Sequence, residues 1–246
     1  MKKIIPVLMM VLLMSSCKSK PAVSDTASSL VSSGASTDAQ IDYDKLIAEY
    51  TAAIANDPTN ASLFSNRGNA YLEKGDIDKA IADYTEAIRL NPNDPVGYYN
   101  RGVAYDQKID FDKAIADYTQ AIQIKKDYKE AYNNRGADYS DKKDYDKAID
   151  DHTQAIKINP DYTNAYNNRG YAFRNKGDLD KAISDYTDAI NLDPNNAVAY
   201  SNRGVAYYFK GDYDKAKADY ETALKLDPAN AKALHNLDVI NQQDTQ

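Results

Sequence analysis

The side chains able to carry chemistry are few in kind. His152 and His235 are the two histidines and Cys17 is the one cysteine. A single thiol permits no intramolecular disulfide and no multi-cysteine zinc site, and two imidazoles make no histidine-rich metal centre. Carboxylates are plentiful, but Asp78, Asp112, Asp146, Asp180 and Asp214 recur at a spacing of 34. A general acid–base pair needs two carboxylates in different environments, and five equivalent residues supply one environment repeated. His152 stands where the neighbouring segments carry Tyr84, Tyr118, Tyr186 and Tyr220, so it reads as a core residue rather than a base. His235 has no evident partner. No serine lies in G-x-S-x-G, and no phosphate or dinucleotide fingerprint occurs. The expectation is a protein that is not an enzyme and takes no cofactor.

Five asparagines hold more promise. Asn66, Asn100, Asn134, Asn168 and Asn202 keep the same 34-residue spacing. A carboxamide offers two donors and an acceptor, so one per repeat can follow the backbone of an extended peptide without reading its side chains. The same groups can instead bond the neighbouring repeat, and the spacing alone leaves both readings open. Each asparagine precedes an arginine: Arg67, Arg101, Arg135, Arg169 or Arg203. Sixteen residues further on stands an aspartate: Asp83, Asp117, Asp151, Asp185 or Asp219. A guanidinium fork fits a carboxylate well, so pairing between helices is expected, and free arginines would be available to a terminal carboxylate. Tyr171, Arg174, Tyr208 and Phe209 complete the candidate peptide-binding set. With Val198 and Val205 they make the C-terminal part the more apolar one, either as a contact site or as a seat for the C-terminal segment.

These residues need elements to position them, and self-similarity supplies the elements. Gly68, Gly102, Gly136, Gly170 and Gly204 form one ladder; Ala80, Ala114, Ala148, Ala182 and Ala216 a second; Ala87, Ala121, Ala155, Ala189 and Ala223 a third. The repeats run 61–94, 95–128, 129–162, 163–196 and 197–230. In the first, helix A is expected over Ala61 to Lys74 and helix B over Ile77 to Leu90. Ile77, Ala80, Ile81, Tyr84, Ala87 and Ile88 give helix B an i, i+3, i+4, i+7 apolar face. Gly75-Asp76 is the turn, with Asp76 as N-cap, and Asn91-Pro92 ends the second helix. A turn this short makes an antiparallel αα-hairpin. Gly inside a helix costs about 1 kcal/mol against Ala, so its recurrence needs a packing reason. Gly68 and Ala80 are expected to let the two axes approach. The aromatics Phe64, Tyr98, Tyr132, Tyr166 and Tyr200, with the helix-B tyrosines, are expected to fill the core between helices.

The series Phe64, Gly68, Tyr71, Ala80, Tyr84, Ala87 and Pro92 resembles the tetratricopeptide repeat (TPR) family, and the resemblance covers residues 61–230. It implies an all-α fold, an α-solenoid of antiparallel helical hairpins coiled into a superhelix. It also implies that the asparagines lie on helix A, facing or edging the concave surface, where several members hydrogen-bond an extended peptide. The family's carboxylate-binding grooves use lysines on helix A; the matching positions here hold Ser65, Tyr99, Asn133, Asn167 and Ser201. Other departures are His152 for the helix-B tyrosine, Lys126 for the proline, and Ile109 and Lys143 for the turn glycine. Residues 41–60 read as a half-repeat N-terminal cap, with Tyr43, Leu46, Tyr50, Ala53 and Ile54 in helix-B register. Residues 231–246 read as a C-terminal capping helix and tail, with Leu234, Leu237 and Ile240 toward the stack.

Residues 1–16 have Lys2 and Lys3, then an apolar run from Ile4 to Met14, then Ser15 and Ser16. That is a secretory signal pattern, too short to span a bilayer. Met14-Ser15-Ser16-Cys17 resembles a bacterial lipoprotein signal, which implies a lipidated Cys17, with acyl chains holding the protein to a membrane. Lys18, in place of an aspartate, points to the outer membrane. Residues 17–40, rich in Ser, Ala and Thr, read as the lipidated cysteine and a flexible tether. A net charge of -7 argues against nucleic acid as partner, since phosphate is bound through Lys and Arg. The expected partner is a protein or peptide, held in the concave groove of a scaffold facing the periplasm. The alternatives are a structural subunit of an envelope complex using its convex surface, or an accessory to a cell-wall or glycan hydrolase.

Overall fold

The computed structural model describes residues 41–244. The signal, Cys17 and the tether lie outside the described residues. Two compact units divide the chain between Lys142 and Lys143. The first contains α1 (Tyr43–Asn56), α2 (Ala61–Lys74), α3 (Ile77–Leu90), α4 (Pro95–Gln107), α5 (Phe111–Ile124) and α6 (Lys129–Asp141). The second contains α7 (Tyr145–Ile158), α8 (Thr163–Lys176), α9 (Leu179–Leu192), α10 (Ala197–Lys210), α11 (Tyr213–Leu226) and α12 (Ala231–Asp244). Among the described residues every regular element is an α-helix. Within each unit a helix packs on the one before and the one after it. The first helices of successive repeats also touch, α2 with α4, α4 with α6 and α8 with α10. This is an all-α solenoid of helical hairpins.

The hairpin turns need a left-handed residue. Gly75, Gly177 and Gly211 supply it at φ 91, 88 and 83°. Ile109 and Lys143, which replace the glycine, are forced to φ 62 and 64°. Asp110, Asp144 and Asp178 then cap the following helix by accepting from the backbone N–H of Lys113, Lys147 and Lys181. Asp76, expected to cap α3 in the same way, makes no side-chain cap bond. Its carboxylate accepts from the Lys79 ammonium at 2.9 Å.

The glycine ladder has a different packing partner from the one its spacing suggests. A Cβ at Gly68 would lie 2.7 Å from Tyr84 Cε1, and at Gly102 2.7 Å from Tyr118 Cε1. Gly170 meets Tyr186 and Gly204 meets Tyr220 in the same way. Helix A thus lacks a side chain so that a helix-B tyrosine ring can pack directly on its backbone. The ladder alanines, Ala80, Ala114, Ala148, Ala182 and Ala216, are fully buried around it.

Two charged ladders run along the stack, one largely buried and one exposed. Arg67 reaches Asp83 with Nε to Oδ2 at 2.8 Å and Nη2 to Oδ1 at 2.7 Å. Arg101–Asp117, Arg169–Asp185 and Arg203–Asp219 repeat this two-bond fork. Each of these guanidiniums also donates to a threonine of the preceding repeat, Thr51, Thr85, Thr153 or Thr187. In the second ladder Lys74 pairs with Asp44, Lys108 with Asp78 and Lys142 with Asp112 at 2.5 Å, and Lys176 pairs with Asp146 and Lys210 with Asp180. These pairs are exposed, so solvent screens them and they stabilise the stack weakly.

At the C-terminal end α12 seats Ala233 and Ile240 in the core, with Leu237 packed against it. Leu234, expected to face the stack, is 51% exposed. Ala233 takes the inward place one residue earlier, because a small side chain lets α12 sit close to α11.

Candidate functional site

The five ladder asparagines lie inside the helix contacts: Asn66, Asn100, Asn134, Asn168 and Asn202 are between 0% and 5% exposed. Asn100 Nδ2 donates to Asn69 Oδ1 at 3.2 Å, and the Tyr84 hydroxyl donates to the same oxygen at 2.7 Å. Asn134 Nδ2 donates to the Tyr99 hydroxyl at 3.2 Å. Both bonds run from one repeat to the preceding one. The Asn202 Oδ1 is buried without a hydrogen-bond partner. In the first unit, then, the carboxamides of Asn100 and Asn134 are engaged in closing the stack.

The remaining candidates gather on α8 and α10 of the second unit. Arg174 places its guanidinium over the Tyr171 ring, 5.0 Å from the centroid. Arg67, Arg101, Arg169 and Arg203 each hold an aspartate. Arg174, partly exposed, has no carboxylate partner among the described residues. One repeat later Tyr208 occupies the register of Arg174, and its ring meets Phe209 at 6.0 Å and Tyr213 at 5.3 Å, both edge-on. Phe209 is 40% and Tyr213 47% exposed. Arg174 and Tyr208 are both electrostatic neighbours of the buried Tyr220 hydroxyl, whose pKa is pushed up chiefly by desolvation. Val205, expected on this surface, is only 3% exposed and belongs to the core that α12 closes. Val198 is exposed. Tyr213 was not among the sequence candidates; it is first in its helix, where apolar periodicity gives no signal.

His152 is fully buried, and both ring nitrogens lack a hydrogen-bond partner. Desolvation, with the Arg169 charge adding to it, lowers its pKa to about 3. An imidazole with no route to solvent cannot take a proton from a substrate. His235 lies exposed on α12.

One cluster could hold a metal. Asp106, Asp138 and Asp141 each bring a carboxylate oxygen within 4.8 Å of the other two. Sequence reasoning passed over it, although the departure was visible: the position of Asp138 is alanine in every other repeat, at Ala70, Ala104, Ala172 and Ala206.

A family model for the TPR repeat matches residues 68–108 and 170–211. A second, described as tetratricopeptide repeat, matches 95–128, 130–162 and 197–230, and a third of the same description matches 49–82 and 153–184. Among solved structures the chain is similar to MamA, at 30% identity and TM-score 0.61, over 67% of this chain and 96% of that one. A second MamA structure aligns at 28% identity and TM-score 0.62, over 70% and 94%. YrrB, described as a TPR protein with an unusual peptide-binding site, aligns at 25% identity and TM-score 0.62, over 76% and 96%. No curated protein matches the chain in sequence.

Proposed function

Since the chain belongs to the tetratricopeptide repeat family, we propose that it is a non-catalytic scaffold that binds an extended protein segment on the first-helix face of its second unit. The single observation that carries this reading is Arg174, a guanidinium without a carboxylate among the described residues, one repeat before the half-exposed group Tyr208, Phe209 and Tyr213, in which Tyr208 has its register. Aromatic and arginine side chains are the residues that dominate binding energy at protein interfaces. The pair of features fits a segment that presents one apolar anchor and one carboxylate. YrrB's peptide-binding site, on a relative that aligns over most of this chain, supports the same class of ligand.

In this reading the asparagines of the first unit, bonded across repeats, hold the first helices in register, and Tyr171, Arg174, Tyr208 and Phe209 touch the ligand. Cys17, following Met14-Ser15-Ser16, carries the acyl chains that hold the scaffold to a bacterial envelope membrane, the outer one facing the periplasm. No helix among the described residues is long and apolar enough to cross a membrane. Labelling with an alkyne fatty acid tests the anchor: the wild type takes up label and Cys17→Ser does not, whereas equal labelling removes the anchor from the account. Selection of peptides from a random 12-residue display library tests the face. The expected consensus pairs an aromatic or branched apolar residue with Asp or Glu; enrichment of basic peptides would contradict it.

A further inference from the structure

Among the described residues α1 is a second helix without a first. Tyr43, Leu46, Tyr50 and Ala53 stand in the register of Ile77, Ala80, Tyr84 and Ala87. α1 packs on α2, the helix that follows it, as α3 packs on α4. α3 is also covered by α2, the first helix of its own hairpin. The corresponding face of α1 is open. Leu46 and Ala53 are partly exposed, whereas the alanines of those two registers in the five repeats are at most 3% exposed. Glu49 has the register of Asp83. Its side chain is 53% exposed, against 8% for Asp83 in the grip of Arg67.

The chain carries a segment in the register of the missing helix. Residues 27–40 belong to the stretch read as a tether and lie outside the described residues. They contain Gly34, one repeat length before Gly68, and Leu30 in the register of Phe64 and Tyr98. Thr26 falls where Asn60 and Asp94 cap α2 and α4, and threonine is a favoured N-cap. Ile41 falls at the hairpin turn, where Ile109 serves in the second repeat at φ 62°. Asp42 then caps α1 by accepting from the Lys45 backbone N–H. The glycine decides between occupants. In the repeats a Cβ at this register would lie 2.7–2.8 Å from a ring carbon of the helix-B tyrosine. A first helix that seats on Tyr50 therefore needs glycine there. The other first helix without a second is α12, offered by another copy of the chain, and it has Asp238 at that register.

We propose that residues 27–40 dock on α1 as its first helix, with Gly34 against the Tyr50 ring and Leu30 in the aromatic slot, and so complete a hairpin at the N-terminal end of the stack. The segment is rich in serine, and a helix this short is marginal by itself in water, so it forms only on the α1 surface. Burial of Leu30, Leu46 and Ala53 drives the docking. Asp38 is in keeping with its register, which holds Asp106, Ser140 and Arg174 in later repeats. Thr37 replaces an aromatic residue, Tyr71 or Tyr105, and Ser33 replaces the arginine that would hold Glu49. Both replacements weaken this hairpin against the others and make it the first to open. While closed, it keeps α12 of a second copy off α1.

The test uses the full chain in mild detergent, with hydrogen–deuterium exchange read by mass spectrometry. Residues 27–40 should exchange at least tenfold slower than the same residues in a synthetic peptide, since protection reports the opening of a local unit. Gly34→Leu should abolish that protection and speed exchange in α1 at least tenfold, with α7 to α12 unchanged. Ser33→Arg combined with Glu49→Asp rebuilds the fork that Arg67 makes with Asp83. It should slow exchange of 27–40 at least threefold further, which requires the two helices to be adjacent. Exchange of 27–40 at the peptide's rate in the wild type overturns the proposal, and so does protection that Gly34→Leu leaves intact. Sedimentation velocity separates the other occupant. A dimer that grows with protein concentration and protects α1 while 27–40 stays unprotected would give the face to a second copy, and would equally overturn the proposal.

Discussion

Arg174 lies over Tyr171 with its guanidinium carbon 5.0 Å from the ring centroid, and no aspartate among the described residues answers it. One turn earlier on the same helix Arg169 is locked onto Asp185 by two hydrogen bonds. The contrast separates two uses of one residue type. Arginines in the repeating register close the hairpins; outside it Arg89 pairs with Glu86, and Arg174 has no carboxylate partner among the described residues. Cation–π contact with Tyr171 holds the fork in place while leaving its donors available.

The structural arginines should be costly to remove. In the fork of Arg101 with Asp117, the aspartate side chain is only 9% exposed. Arg101→Ala strands that carboxylate and should destabilise the chain by about 2–3 kcal/mol, somewhat under the figure for fully buried pairs. Urea unfolding checks this, and a loss under about 0.5 kcal/mol would mean the fork contributes little.

Ile109 offers the opposite sign. It is 73% exposed and held at φ 62°, where Gly75, Gly177 and Gly211 serve the other turns. A β-branched residue in that region is strained by about 1–2 kcal/mol. Ile109→Gly should therefore raise stability by about 1 kcal/mol, after allowance for glycine's greater freedom in the unfolded chain. A lower melting temperature for Ile109→Gly would refute the strain.

His152 should make stability depend on pH. Its folded pKa, about 3, is below the ordinary 6.5, so as pH falls the unfolded chain takes the proton first. The stability that comes from keeping it neutral is complete above pH 6.5 and is lost progressively between there and about 3. One proton gives a slope of up to about 1.4 kcal/mol per pH unit. His152→Phe removes the titration, so the gap between the variant and the wild type should widen from pH 6.5 to 4.5. Parallel pH profiles would show that the imidazole is reachable by protons in the folded state.

Paired measurements decide the asparagines. Asn100→Ala together with Asn134→Ala removes the bonds to Asn69 and Tyr99. At about 0.5–1.5 kcal/mol each, more where a buried partner is stranded, the double variant should melt several degrees lower. Its affinity for a selected peptide, measured well below the melting temperature, should change less than threefold. Unchanged melting with lost affinity would put these two residues in the ligand site.

The repeat was legible because three independent ladders, through Gly68, Ala80 and Ala87, coincide, and the helix bounds of α2 and α3 follow from the Gly75 turn and Pro92. The ladder of Lys74 on Asp44 had the same 34-residue signal and went unread, since exposed lysine and aspartate carry no apolar period. Asp138 went unread for the converse reason: a search for repetition overlooks the one place where repetition fails. Leu234 was placed inward by analogy with earlier first helices. Leu234 has the register of the half-buried Tyr166 and Tyr200, and the fully buried register of Ala165 and Ala199 falls to Ala233. The burial of Asn100 and Asn134 could not be read from spacing, because a carboxamide satisfies a backbone and a neighbouring helix equally well.

Arg174 and the aromatic group around Tyr208 form the proposed binding face. Its most direct test is the affinity of a library-selected peptide, by fluorescence anisotropy, for the wild type, Arg174→Ala and Phe209→Ser, with melting temperatures recorded on the same preparations. Loss of a charge-assisted hydrogen bond at about 1.5–3 kcal/mol predicts roughly 10- to 150-fold weaker binding for Arg174→Ala with melting unchanged within about two degrees. Phe209→Ser should weaken binding at least tenfold. Affinities of both variants within threefold of the wild type, with the fold intact, would contradict the account and move the ligand off this face.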